Sequence, residues 1–253
     1  MIGVGPPLTP VDAARLVAAT AANLAGWHDL NLRALGHRTE WCDGWWLTPE
    51  DVPVIFFRAI AVRPGADPRV PVRRCHLAAT MAACDPWSEL PLDRHGLAFE
   101  AERPWMLRPP GPVPATPVTH GLAIERVVDA AGLVDFERTA AAGFGSAVGP
   151  PHTWHGLPLL DDARFDLWLA RAAGEPVATA NGFREAGVLG IYAVSTLPAA
   201  RRRGAATAVT SLAVAAAPDL PAVLQPSEMA EPLYRRLGFA RFTTFRTWTM
   251  SAG

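Results

Sequence analysis

The sequence predicts an α/β protein with a mixed α+β sheet, and three observations lead there. Apolar segments of strand length alternate with helical-period segments through residues 117 to 253. The stretch "RPPGPVPATPV", residues 108 to 118, holds five prolines; these lack the N–H that a sheet ladder needs, so the stretch reads as an extended linker between two halves. Of the 253 residues 50% are hydrophobic and 19% charged, which supports a packed core and argues against wholesale disorder. The expected domains are 1–112 and 117–253.

In the first half, "PVDAARLVAATAANLAGWHDLNLRALG" reads as a helix. "EWCDGWWLT" and "VPVIFFRAIAV" read as strands, and "RRCHLAATMAACDP" as a short helix. Trp45 and Trp46 fit either a core or a pocket. The half closes on "DRHGLAFEAERPWML", which is similar to the end of the chain, "RRLGFARFTTFRTWTM". Both run through Gly, an apolar residue, Ala, a charged tract with an Arg, then Trp and Met. Gly96 to Trp105 and Gly238 to Trp248 differ by one residue in spacing. The match fits either an internal duplication with a decayed first copy or a chance agreement of two short windows.

The second half opens on a strand-like "VTHGLAIERVV". Asp129 then suits the N-cap of a helix that places Leu133, Phe136, Ala140 and Phe144 at helical spacing. A Pro/Gly/His loop, "SAVGPPHTWHGLP", follows. Three strands come next, over 164–171, 175–184 and 187–194, with hairpin-like junctions "AAGE" and "EAG". Pro198 stops the third. "GAATAVTSLAVAAA" is a small-residue helix, "PAVLQP" a short buried strand, and "SEMAEPLYRRLGF" a helix with Ser227 as N-cap and Gly238 past its end. "RFTTFRTWTM" closes as a strand. The expected order is β-α-β-β-β-α-β-α-β.

Composition narrows the function classes. The net charge of −1 speaks against a protein whose main partner is nucleic acid. The chain has no lysine, which removes Schiff-base chemistry. Three cysteines, Cys42, Cys75 and Cys84, with no CxxC spacing, read as reduced and cytoplasmic. Cys75 and Cys84 fall on a helical stretch as small core residues. Pro6, Pro7 and Pro10 would interrupt a signal helix, and no apolar run is long enough to cross a membrane. His152 and His155 in "HTWH" have ligand-like spacing but no third partner, so no metal is expected. Glu100 and Glu102 read as a solvated strand face, and no Gly-x-Ser-x-Gly elbow occurs.

The sharpest junction is "LPAARRRGAATAV", residues 197 to 209. A helix beginning near Gly204 has unpaired N–H groups and the positive end of its dipole there. Arg201, Arg202 and Arg203 crowd that same end, against the dipole. A plain surface turn gives no reason for that placement; a bound anion offsets it. Gly204, Ala205 and Ala206 leave the backbone open to such an anion, and a pyrophosphate suits it. Neither a P-loop nor a GxGxxG fingerprint is present.

"VSTLPAARRRGAATAV" resembles the acyl-CoA signature of the GNAT acetyltransferases, Arg/Gln-x-x-Gly-x-Gly/Ala, met by Arg201, Gly204 and Ala206. The family's second landmark, a helix ending in Tyr followed by Leu-Gly-Phe, is met by Tyr234 in "SEMAEPLYRRLGF". Element order over 117–253 fits as well. The first half lacks both landmarks: position 92, four before Gly96, is Leu where a Tyr would fall. The resemblance therefore implies a GNAT acyl-CoA N-acyltransferase fold, with the first half a degenerate GNAT-like copy that has lost acetyl-CoA binding.

The resemblance also implies roles. Backbone N–H groups of Arg202, Arg203, Gly204, Ala205 and Ala206 would hold the pyrophosphate of acetyl-CoA, with the Thr207 hydroxyl nearby. Tyr192, Ala193 and Val194 would pair with the pantetheine arm where their strand splays from "PAVLQP". Tyr234 would protonate the departing thiolate. The base stays open among Glu125, Glu228, His152 and His155, or ordered water. Glu125 on the opening strand is placed with Tyr234 as catalytic. Trp154, His155, Asn181 and Ser227 are placed at the acceptor. The expectation is a cytoplasmic N-acetyltransferase acting on a small-molecule or peptide amine, as a monomer or homodimer, with no nucleic acid and no membrane. The alternative is a non-catalytic acyl-CoA-binding regulatory module.

Overall fold

The structure is a computed structural model and describes residues 9–75, 82–114 and 121–250. Outside these lie 1–8 and 76–81, the latter within the expected short helix over 73–86. So do 115–120, which hold the end of the proline stretch and the start of the expected opening strand of the second half.

Helix α1 spans Pro10–Ala34 and starts where Thr9 accepts the Asp12 N–H at 3.2 Å, with proline at its first position. The expected single strand over 40–48 is instead a hairpin, β1 (Glu40–Cys42) and β2 (Trp45–Leu47). Asp43 and Gly44 turn it with φ of 50° and 83°, the left-handed pair that a two-residue hairpin needs. Strand β3 is only Ala59–Ala61, helix α2 only Val70–Arg74, and β4 covers Ala82–Asp85. The end of the expected short helix is thus a strand: Cys84 sits in β4, and Cys75 follows α2. Both cysteines are buried and free. A 3-10 turn at Leu92–His95 leads into the long β5, Leu97–Arg108.

The second half follows the expected order among the described residues. Strand β6 (Leu122–Arg126) precedes α3 (Ala130–Phe144), which Asp129 caps by accepting the Gly132 N–H at 2.8 Å. Strands β7 (Phe165–Ala172), β8 (Glu175–Glu185) and β9 (Val188–Thr196) form a meander. Helix α4 (Ala205–Ala215), β10 (Ala222–Leu224), α5 (Glu231–Arg236) and β11 (Ala240–Met250) complete it. Helix α5 starts later than expected. Ala230 is its N-cap, and Ser227 caps the preceding turn, accepting the Ala230 N–H at 3.3 Å.

The eleven strands of the described residues form one sheet, ordered β1-β2-β3-β4-β11-β5-β10-β9-β8-β7-β6. The last strand of each half pairs inside the other half: β5 lies beside β10, and β11 beside β4. The arrangement is pseudo-symmetric about the β5/β11 ladder. Strand β3 runs parallel to β4 as β9 runs parallel to β10. Each final strand begins after a glycine of matching conformation, Gly96 at φ 88° and Gly238 at φ 89°. The described part of the proline stretch is pinned rather than loose. The buried Arg108 guanidinium donates to the carbonyls of Pro109, Gly111, Pro112 and Leu237 at 2.5–3.1 Å.

Helices α1 and α3 pack on one face of the second half's strands, with Leu24, Trp27, Phe136, Phe165 and Phe183 in the shared core. Helices α4 and α5 belong to a second core with Leu224 and Phe239. Trp45 and Trp46 are both core: their indole N–H groups donate to Asp67 O and to Asp29 Oδ1 at 2.9 Å each. No described helix is long and apolar enough to cross a membrane.

Candidate active site

Between β9 and β10 the sheet opens. Their parallel pairing runs from Leu189/Ala222 to Ile191/Leu224 and stops. The next residues of β9 carry a bulge: pairing with β8 jumps from Asn181/Tyr192 to Thr179/Ser195, and Ala193 sits at φ 49°. A non-glycine residue in that region is held by its surroundings. Here Thr179 donates its hydroxyl to Ala193 O at 2.8 Å. Tyr192, Ala193 and Val194 thus face a gap with no strand from β10 beside them.

A cavity of about 380 Å³ fills that gap. Tyr192, Ala193, Val194, Trp154, His155, Ser227 and Tyr234 line it, so the structure gathers these sequence-predicted residues at one place. The first half supplies much of the remaining wall, including Trp27 and His28 of α1, Phe57 and Trp105. Sequence reading missed these. They stand more than 80 residues from Tyr192 along the chain, and no motif marks them.

Tyr234 is 4% exposed, and burial raises its phenol above the ordinary value of 10, so the proton stays on across the neutral range. Tyr192 is engaged elsewhere: its hydroxyl donates to Asn23 Oδ1 at 2.7 Å. Asn23 in turn donates to the carbonyls of Phe183, Glu185 and Val188. This cluster docks α1 against β8 and β9, and it needs Gly190, where a Cβ would overlap the Asn23 amide and the Tyr192 ring.

His155 is 1% exposed, and neither ring nitrogen has a hydrogen-bond partner among the described residues. Its Nδ1 faces Glu137 Oε1 at 3.8 Å. Glu137, which reads as a surface position of α3 in the sequence, is buried. Its carboxylate accepts the N–H groups of His152 (2.6 Å), Trp154 (2.8 Å) and His155 (2.7 Å) and so shapes the loop. Burial pushes the Glu137 carboxyl up, but His155 and these amides outweigh it and hold it below its ordinary value.

Two expected site residues stand away from the cavity lining. Glu125 lies on the edge strand β6 and binds Arg171 Nε at 2.7 Å; its half-exposed carboxylate is not positioned as a base there. Asn181 is fully buried behind the wall, where its Oδ1 accepts the Trp27 indole N–H at 2.6 Å.

The arginine turn lies between β9 and α4. Gly204 occupies the N-cap with φ 83°, and Arg202 also has positive φ, 61°. The first amide to return into the helix is that of Ala208, bonded to Gly204 O at 3.0 Å. From Arg202 to Thr207 no amide has an acceptor among the described residues, and residues 202–204 are exposed. This row of free N–H groups fits a pyrophosphate. The Arg201 side chain is occupied otherwise: it donates to Thr196 O (3.3 Å) and Gly143 O (3.0 Å) and ties the turn to α3. No cluster of metal-ligating side chains occurs among the described residues.

A splayed parallel pair with a bulge, beside a helix start whose first amides are free, is an arrangement into which an acyl-CoA donor would fit. Residues 133–239 match the model of the acetyltransferase (GNAT) family, and this part of the chain is a GNAT domain. A GCN5-related N-acetyltransferase from Kribbella flavida has a similar structure, with a TM-score of 0.66, 25% identity, and 95% of this chain and 96% of that chain covered. A GNAT-family protein from Novosphingobium aromaticivorans is similar over 92% of this chain and 99% of that chain (TM-score 0.61, 19% identity). A GCN5-related N-acetyltransferase from Sphaerobacter thermophilus shares the fold over 95% and 93% (TM-score 0.55, 17% identity). No curated protein matches the sequence.

Proposed function

We propose that the protein is an N-acetyltransferase that moves the acetyl group of acetyl-CoA to a primary amine by direct attack in a ternary complex. The observation that carries this reading is the single cavity wall on which Tyr234, the β9 bulge and His155 converge. The free amides from Arg202 to Thr207 would hold the pyrophosphate, and the unpaired edge of Tyr192–Val194 the arm leading to the thioester. Acetyl-CoA supplies the activated acyl group.

The chain's residues would then move two protons. As the new N–C bond forms and the C–S bond breaks, His155 Nε2 takes a proton from the attacking nitrogen. Tyr234 gives its phenolic proton to the departing sulfur. Glu137 would steady the charged imidazole from its other side. The products are an N-acetyl amide and CoA thiol. His155 replaces Glu125 in this assignment.

We also propose that residues 1–112 are a degenerate copy of the second half. The matching β3/β4 and β9/β10 pairs, each followed by a short helical turn, a left-handed glycine and a long final strand, support it. Leu92, fully buried, stands where the second half has Tyr234. The copy would complete the acceptor wall without binding a donor of its own. A cytoplasmic location fits the free cysteines.

The test is free-thiol release from acetyl-CoA with a panel of amines, run beside calorimetric binding of acetyl-CoA. Binding and turnover together support the reading. Binding without turnover on any amine would point to an acyl-CoA-binding regulatory module.

A further inference from the structure

The reading as an acetyltransferase leaves the acceptor open, and the following inference rests on it. The cavity has a chemical character that narrows the choice. Among the described residues no Asp, Glu, Arg or Lys side chain lines it. Aromatic rings dominate instead: Trp27, Phe57, Trp105, Phe144 and Trp154. The carboxylate that orders the loop, Glu137 of α3, has both oxygens taken by three backbone N–H groups and lies beside His155 Nδ1. An ammonium group entering this space would shed its water and meet no counter-charge. Ring faces attract cations, but less than the loss of hydration costs.

Two histidines of the wall, His155 and His28, hold buried ring nitrogens without a partner among the described residues, and for His28 the chemistry is fixed. His28 Nδ1 lies 2.8 Å from the carbonyl of Leu24. A carbonyl only accepts, so Nδ1 carries the hydrogen, and Nε2 of the neutral ring has a lone pair. That Nε2 is buried and has no hydrogen-bond partner among the described residues. The rings of Trp27, Trp46, Phe56 and Phe57 surround the imidazole. Burial lowers its pKa to about 4, so it stays an acceptor at neutral pH. A buried acceptor of this kind is matched by an N–H or O–H on a ligand. The purely hydrocarbon tail of a long acyl donor would leave it unmatched.

We propose that the acceptor is a small aromatic amine, bound uncharged against the Trp27–Phe57–Trp105 wall, with one of its N–H groups donated to His28 Nε2.

Two isomers test this directly. p-Toluidine and benzylamine have the same atoms, but the first is neutral and the second cationic near neutral pH. Binding to the full chain is read from tryptophan fluorescence, since Trp27, Trp105 and Trp154 line the cavity. We expect saturable quenching by p-toluidine, at least about tenfold tighter than benzylamine, and none by spermidine. Benzylamine or spermidine binding as tightly as p-toluidine would overturn the proposal. The comparison needs no variant, so it stands even if a substitution unfolds the protein. In His28→Phe, p-toluidine affinity should fall about tenfold while acetyl-CoA affinity holds; unchanged p-toluidine affinity would remove His28 from the assignment. Octanoyl-CoA competing with p-toluidine, and preferred over acetyl-CoA, would give the cavity to the donor and also overturn it. The two readings separate cleanly. Selective p-toluidine binding without thiol release supports this inference while removing the transfer reaction. Thiol release only with cationic amines does the reverse.

Discussion

Trp27 of α1 donates its indole N–H to Asn181 of β8 at 2.6 Å, with both side chains buried. The bond joins the first half to the second directly behind the cavity, because Trp27 also stacks on Tyr192 with ring centroids 4.8 Å apart. Asn181 further donates to Asp166 O at 2.9 Å and Gly182 O at 3.1 Å. Asn181→Ala leaves the buried indole N–H and two carbonyls short of a partner. The expected loss of stability is about 1–3 kcal/mol, seen as a lower urea midpoint. Acceptor KM should rise as well, because Trp27 loses its anchor. An unchanged midpoint would show that the bond is not formed in solution.

The pairing of β5 with β10 makes a second expectation. A chain beginning at residue 117 lacks β5, and so exposes the free edges of both β10 and β11. Unpaired edges of this kind template aggregation. Residues 117–253 expressed alone should therefore be insoluble or lose near-UV circular dichroism, and co-expression with residues 1–114 should rescue them. A soluble, monomeric fragment with native spectra would show that the second half folds by itself.

Tyr234→Phe keeps the ring and removes the proton. If the phenol protonates the departing sulfur, kcat should fall about 10²-fold, with acetyl-CoA affinity unchanged. The fold should survive, since no described residue hydrogen-bonds that hydroxyl and the ring packs at 6.0 Å centroid distance on Phe239. Equal turnover by the variant would remove the assignment.

At the arginine turn, backbone and side chains predict different outcomes. Gly204 holds φ 83°, and a branched residue there is strained by about 1–2 kcal/mol and covers the amides. Gly204→Val should raise the acetyl-CoA KM by about tenfold or more while kcat changes less. Arg203→Ala removes an exposed side chain and keeps the N–H; its effect should stay within about threefold and shrink further in high salt. A larger loss for the arginine variant would mean that its guanidinium, not the backbone, holds the anion.

The parts that sequence made legible are local ones. Asp129 and Gly238 mark element ends by cap and left-handed chemistry, so the order of the second half could be read through. The arginine turn was legible because three cations at a helix start go against the dipole. Long-range facts were not. Nothing local says that β5 leaves its own half to lie between β10 and β11, or that His28 faces the same space as Tyr234. Glu125 looked available as a base because its partner, Arg171, is 46 residues away and becomes a neighbour only through the β6/β7 register. Glu137 was hidden for the converse reason: in "VDFERT" it resembles any solvated helix position, and only the returning loop buries it.

The buried histidine on α1 carries a stability signature with a definite sign. His28 has its pKa lowered from the ordinary 6.5 to about 4 by burial. The unfolded chain therefore takes up a proton as pH falls through 6.5, while the folded chain does not until about pH 4. Stability is full above pH 6.5 and declines below it, by about 3 kcal/mol by the lower end of that window. Glu137, held below its ordinary value, adds loss in the same direction at lower pH, whereas Asp85, raised by burial, works in the opposite sense. His28→Phe separates the histidine from both. Urea midpoints measured from pH 7.5 down to pH 4.5 should fall steeply for the native chain and markedly less for the variant. Parallel curves would mean that the imidazole is hydrated in solution, and that the wall around Trp27 and Phe57 is open to water.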